Sequence, residues 1–351
     1  LILTGISILG ELTPRSLDHI LSFGERLSAP LLAYELSTRG LPTKVLTGGE
    51  AGLITDSSFG EANPVWRETR RRVRRVLKPL LESNTIPVIT GFIGQTSGGE
   101  VTTLGRGGSD YTATILADAL NADEVWIWTD VDGLMTADPR VVEDARVIET
   151  RSYAEDEEMA ILGAKAMHPR ALEPARGKSI PVRIRNTFNP EHPGTLIGGH
   201  PKKTRGVVKA VALVRDVGML TVSGGSLVGK PGMAAKILGL LAAQKINILM
   251  ISQSVSESNI SIVVKRNLLA RAKAALESGM ADGEYGLRID TEEHVSVIAA
   301  IGAGMKGTPG VAARVFGAVA RQGINVRMIA QGSSELNISF VVRDRELVLT
   351  R

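Results

Sequence analysis

The sequence contains no cysteine. Disulfide frameworks and thiolate metal sites are therefore excluded, and a reducing, cytoplasmic setting is favoured. Aromatic residues are scarce at 4%, so any core must be built mainly from aliphatic side chains. No apolar run approaches the roughly 20 residues that span a bilayer, which argues against a membrane protein. Strong charge of one sign is missing too. The 41 basic and 37 acidic residues leave only +4, too little for the chain as a whole to act as a polyanion binder. What it has in quantity is glycine, 38 residues in 351, which suits loops that approach one another or a ligand closely. With 43% hydrophobic and 22% charged residues the chain reads as ordinary globular protein, long enough for two or three compact units.

Positive charge is concentrated once, at Arg67, Arg70, Arg71, Arg72, Arg74, Arg75 and Lys78. Beneath it Val65, Thr69, Val73, Val76 and Leu80 recur at helical spacing, so this stretch reads as a helix with a solvated basic face. No stacking aromatics or nucleic-acid motif accompany it, and no nucleic-acid partner is expected. In the first half, helical patterns at Pro14 to about Arg39, Pro64 to Glu82 and Asp110 to Leu120 alternate with strand-like runs. Those runs fall at Lys44 to Leu46, Pro87 to Thr90, Val125 to Trp128 and Pro181 to Ile184. Strands separated by helices imply crossovers and a mostly parallel sheet sandwiched by helices.

Around Asn189 to Arg205 the composition turns to Pro, Gly, His and Lys and marks a boundary. Beyond it the sequence repeats itself. Gly229-Lys230-Pro231-Gly232-Met233-Ala234-Ala235-Lys236 returns as Gly307-Thr308-Pro309-Gly310-Val311-Ala312-Ala313-Arg314, an offset of 309 − 231 = 78 residues. The register holds through Asn247 and Asn325, Gln253 and Gln331, and Asn259-Ile260-Ser261 and Asn337-Ile338-Ser339. Two homologous α+β units follow from this. The Pro-Gly turn before the helix and the Ile-Asn entry to the next strand resemble the ACT domain. That resemblance implies pairs that bind a free amino acid and assemble a homo-oligomer.

The densest chemical signal is Gly105-Arg106-Gly107-Gly108-Ser109-Asp110-Tyr111-Thr112 at the opening of a helix. Glycines let backbone amides converge on an anion, the helix N-terminus adds partial positive charge, and Arg106 adds a planar fork. The segment lacks both the Lys-Ser/Thr ending of a P-loop and the spacing of a dinucleotide loop. Upstream stands Phe23-Gly24-Glu25-Arg26-Leu27-Ser28. Downstream stand Thr129-Asp130-Val131-Asp132-Gly133-Leu134-Met135-Thr136-Ala137-Asp138-Pro139-Arg140 and Gly163-Ala164-Lys165-Ala166-Met167-His168-Pro169. These four segments, with the ACT pair, resemble the aspartate kinases of the amino-acid-kinase family.

The resemblance implies an amino-acid-kinase fold over 1–200. Two βαββαβ ferredoxin-like ACT domains would follow at 206–285 and 286–351, the second borrowing a strand from about 207–215. It implies ATP-dependent phosphorylation of L-aspartate, with Glu25, Arg106, Ser109 and Asp110 at the substrate and Arg106 and Asp110 in the catalytic part. Thr129, Asp130 and Met135 would line adenosine, and Arg140 and Lys165 the phosphates, with Mg²⁺ carried chiefly by ATP and no dedicated protein metal site. Asp138 is left between supporting Arg140, capping a turn and approaching the metal through water. His168, His192 and His200 are read as structural. At the effector site Asn247, Leu249 and Gln253 are the candidates. Leu249 offers no carboxylate for a lysine ammonium, so threonine is expected as effector and lysine is the alternative. The family's opening Lys-Phe-Gly-Gly-Thr-Ser loop is missing and the chain opens Leu1-Ile2-Leu3 without Met, so it reads as a fragment. A non-catalytic amino-acid-sensing subunit is the competing function.

Overall fold

The computed structural model describes residues 2–161, 167–199, 206–280 and 286–350. The described residues form two compact units. The first holds 2–134, 147–160 and 167–199, and the second 135–146, 161, 206–280 and 286–350.

In the first unit the long helix Pro14–Thr38 is capped by Thr13, whose hydroxyl accepts from the Ser16 amide. Its small residues Ala29 and Ala33 pack beside Val88. Thr43–Leu46 and Ile86–Ile89 pair in parallel, as do Val125–Thr129 with Val182–Asn186 and Thr150–Ser152 with Thr195–Gly198. Val182–Asn186 and Thr195–Gly198 pair antiparallel. Ile54–Thr55, Ile93–Thr96 and Val101–Thr103 make a smaller sheet. Parallel pairing dominates, as expected, but it is divided among separate sheets.

The basic stretch is the helix Trp66–Glu82, which buries Thr69, Val73 and Leu77. Its arginines are less solvated than expected. Arg70 Nε donates to Asp118 at 2.6 Å and Arg74 Nε to the Ala119 carbonyl at 2.5 Å, so both clamp the neighbouring helix Gly108–Leu120. Arg70 also lies over the Trp66 ring. An amphipathic pattern marks which face is buried; it does not say which long cations fold back onto the next helix.

The second unit is organised by one six-stranded sheet. Its strands run in the order Ile248–Gln253, Asn259–Lys265, Ala210–Ser223, Arg288–Ile301, Asn337–Arg343, Met328–Ala330, every neighbouring pair antiparallel. The two 14-residue central strands are each used twice. Residues 210–214 pair with 297–301 beside the second repeat's strands, and 217–223 pair with the first repeat's Asn259–Lys265. The repeat extends to backbone conformation. Glu257 and Glu335 both have φ of 55°, Gly229 and Gly307 have 67° and 65°, and Gly232 and Gly310 have 89° and 79°. A side chain is rarely tolerated in the left-handed region, so its recurrence at the same offset shows two copies of one turn design.

Candidate functional site

The glycine-rich loop enters the helix Gly108–Leu120 through Gly107, whose φ is 71°. A Cβ there would sit 2.9 Å from the His168 Cβ, so glycine is required by both conformation and space. His168 is a packing wall of the loop. Arg170, the second residue of the helix Pro169–Gly177, donates to the carbonyls of Leu104 at 3.2 Å and Ala62 at 2.6 Å and stacks over Tyr111. It fixes the loop from below.

Across 84 residues of sequence, the Ser109 hydroxyl donates to Glu25 Oε1 at 3.3 Å. The helix bearing Glu25 is held in place by Asp18, two turns earlier and fully buried. Asp18 accepts from the Gly60 amide at 2.9 Å, the Thr103 amide at 2.8 Å and the Thr103 hydroxyl at 2.8 Å. Arg106 is exposed beside Ser109, with no ion pair among the described residues. Asp110 is partly buried in the first helical turn, and burial pushes its carboxyl above the ordinary range. Glu25, Arg106, Ser109 and Asp110 thus place a carboxylate, a cation, a hydroxyl and a desolvated acid on two facing elements.

Neighbouring turns at the carboxyl ends of parallel strands, where α/β sheets bind ligands, also approach this point. Gly48 donates to Thr90 at 2.8 Å, and a Cβ on Gly48 would fall 1.8 Å from the Ile93 carbonyl oxygen. A Cβ on Gly91 would fall 3.1 Å from Ser109. Phe92 takes a left-handed φ of 65°, held by its amide donating to Thr112 at 3.0 Å. The sequence reading passed over this set; the Gly48-Gly49 pair directly after a strand was the available signal.

The nucleotide candidates divide between the units. Thr129 and Asp130 lie at the end of Val125–Thr129 in the first unit, the Thr129 hydroxyl donating to Asp130 Oδ1 at 3.2 Å. The turn after them is locked by Asp132, which accepts from Asn186 at 2.8 Å and Asn189 at 3.0 Å; those bonds hold its carboxyl below the usual range. Met135 and Arg140 lie in the second unit. Arg140 Nε and Nη2 bind Asp138 at 3.0 and 2.7 Å, so Asp138 supports Arg140. Lys165 lies outside the described residues. Among those described, no group of three or more His, Cys, Asp or Glu is placed to hold a metal, and no helix is long and apolar enough to cross a membrane.

In the second unit, a cavity of about 320 Å³ lies at the first Pro-Gly loop, before the helix Met233–Ala243. Gly229, Lys230, Gly232, Gln253 and Glu257 are on its wall. Of the three effector candidates only Gln253 lines it. Asn247 is exposed, and Leu249 packs with Val217, Met219 and Met250, beside a bulge between Ile248 and Met250 that interrupts the strand's alternation. Glu257 was missed. It accepts from the Gly229 amide at 2.9 Å, as Glu335 does from Gly307 at 2.7 Å.

A profile of the Amino acid kinase family matches residues 6–186, and an ACT domain profile matches 220–279 and 298–350. An aspartate kinase from Pseudomonas putida is 37% identical over 342 residues, covering 96% of this chain and 80% of that protein. A bifunctional aspartokinase/homoserine dehydrogenase from Zea mays is 36% identical over 353 residues, but the chain spans only 38% of it. Among solved structures, E. coli aspartokinase III in complex with lysine and aspartate superposes with a TM-score of 0.78 at 33% identity, covering 99% of this chain and 78% of that one. The Clostridium acetobutylicum aspartate kinase gives 0.83 at 28% identity, covering 95% and 75%. The fold is that of an amino acid kinase domain joined to ACT units. Within that class, the chain belongs to the aspartate kinase family.

Proposed function

We propose that this chain forms the body of an enzyme that phosphorylates the side-chain carboxylate of L-aspartate with ATP, giving β-aspartyl phosphate, under control of an end-product amino acid bound at the ACT units. The meeting of Glu25 with Ser109, beside an Arg106 that makes no ion pair among the described residues, carries this reading. A zwitterionic amino acid needs an anion for its ammonium and a planar cation for its carboxylate, and these residues supply both. The attacking carboxylate is ionised at neutral pH, so no general base is required and the work is alignment and charge neutralisation. Asp110, destabilised as an anion by burial, is suited to orient a cation such as Mg²⁺ arriving with the nucleotide. ATP supplies the phosphoryl group; Thr129, Asp130 and Met135 are assigned to adenosine, and Arg140 and Lys165 to phosphates.

Arg106→Lys keeps charge and loses the fork. In a protein carrying the family's Lys loop ahead of this chain, the change costs about 2 kcal/mol of aspartate binding, roughly a 30-fold rise in aspartate KM, with ATP KM little changed. Equal effects on both substrates would remove Arg106 from this role.

For the effector, the neutral Gln253 favours a small polar amino acid, threonine. Glu257 on the same wall supports a second reading, lysine, because it supplies the carboxylate that Leu249 cannot. Saturating effector at 100 times its Kd stabilises the fold by about 2.7 kcal/mol. Glu257→Gln retains an acceptor for Gly229 and removes the charge. A thermal shift with threonine that survives Glu257→Gln supports the first reading; one with lysine that disappears supports the second. Binding by either effector would also be read in the homo-oligomer expected through the ACT units.

A further inference from the structure

Phe92 combines a bulky side chain with a left-handed φ of 65°, and across it the Ile93 amide donates to the Gly91 carbonyl at 2.7 Å. A hydrogen bond closing three residues around a positive φ is the rare, strained form of the γ-turn. Strain of this kind persists only where the surroundings hold it, and it gathers at working sites.

Three contacts hold it here. The Phe92 amide donates to the Thr112 hydroxyl oxygen at 3.0 Å, and its carbonyl accepts from the Leu104 amide at 2.9 Å. Its ring lies against Gly108, where a Cβ would come 2.6 Å from the Phe92 Cδ2. Thr112 is 3% exposed, and its hydroxyl also donates to the Gly108 carbonyl at 2.8 Å. One side chain thus ties the turn to the helix Gly108–Leu120. The turn in its place brings Gly91 onto that helix: a Cβ at 91 would lie 3.1 Å from both the Cα and the Cβ of Ser109. Ser109, whose hydroxyl reaches Glu25, lies three residues before Thr112 and so on the same helix face.

We propose that Thr112 is a positioning residue of the aspartate site: by holding Phe92 in the γ-turn it sets Gly91 against Ser109 and keeps the Ser109 hydroxyl aimed at Glu25. The inference rests on the aspartate reading given above and adds to it a residue that acts through others. Thr112→Val keeps the shape of the side chain and removes the acceptor of the Phe92 amide. The turn then relaxes and Gly91 withdraws from Ser109.

The test uses the protein in which Arg106→Lys is measured. Thr112→Val is expected to raise aspartate KM about 5-fold, the order set by losing one hydrogen bond, and to leave ATP KM unchanged. Thr112→Ser retains the hydroxyl and restores the parental value. Phe92→Gly removes the strain, because glycine takes a positive φ freely, so in that background Thr112→Val should cost aspartate less. Gly91→Ala acts on the same contact from the other side, and it too should raise aspartate KM alone, whatever the stability of the Thr112 variants. Equal losses for aspartate and ATP, an undiminished effect of Thr112→Val in the Phe92→Gly background, or an unaltered aspartate KM in Gly91→Ala would each overturn the proposal while the roles of Glu25 and Arg106 stand. A parent protein whose turnover does not depend on aspartate would overturn the reading of the site and this inference with it.

Discussion

Arg151→Met should lower stability by about 3–5 kcal/mol at pH 7, the cost of leaving a buried charge without its partner. Arg151 and Asp156 are 1% and 0% exposed, and their ion pair is 3.2 Å long. The same guanidinium also donates to the Glu155 carbonyl at 3.3 Å and touches the Met159 sulfur. Burial pushes the Asp156 carboxyl up to about 6 from an ordinary 3.8, while Arg151 pulls it down. A carboxyl raised by folding holds its proton more tightly in the native state. Its contribution is therefore most favourable below 3.8 and is lost as pH rises through about 6. Removing Arg151 raises the group further, so the deficit of the variant relative to the parent should shrink between pH 7 and pH 5. Urea denaturation at the two pH values measures this, and an unchanged deficit would mean that Asp156 is not the group left exposed.

Asp18→Ala is expected to cost about 2–4 kcal/mol, because the amides of Gly60 and Thr103 and the Thr103 hydroxyl lose one shared acceptor in a dry environment. Its functional effect should exceed its effect on the fold. The helix that Asp18 pins carries Glu25 toward Ser109, so aspartate affinity should fall at temperatures where the variant remains folded. Asp18→Asn retains one acceptor oxygen and should recover part of both. A variant with lowered stability and unaltered aspartate binding would separate the pin from the site.

The contrast between Asp18 and Ser109 shows what kind of information was legible in the sequence. Ser109 was found because a glycine-rich entry to a helix concentrates its chemistry in eight consecutive residues. The two ACT units were found because their pattern occurs twice. Asp18 sits on an ordinary-looking helix, and its partners are more than 40 residues away, so no local pattern distinguishes it from a surface carboxylate. Arg170 and Arg151 escaped for the same reason: an arginine in isolation reads as solvated. Short strands such as Ile54–Thr55 and Val101–Thr103 are below the length at which alternation can be recognised. Glu257 was within reach, since Glu335 repeats it at the same offset, but an acidic residue in a turn has a bland explanation until its carboxylate is seen on the Gly229 amide.

The double use of the central strands bears on how the chain is made. Residue 210 must wait for residue 301 before its ladder can close, a separation of 301 − 210 = 91 residues. At ribosomal rates of about 5–20 residues per second, that is roughly 5–18 s during which the newborn segment has an unsatisfied edge. The first repeat closes sooner, because the 288–292 needed beside 219–223 follow within 292 − 219 = 73 residues. The second repeat cannot reach its final pairing from its own contiguous residues, since 297–301 need 210–214, so duplication has not yielded two independently folding modules. Refolding should accordingly be slow and single-phased across the sheet, with the rate set by one long-range closure.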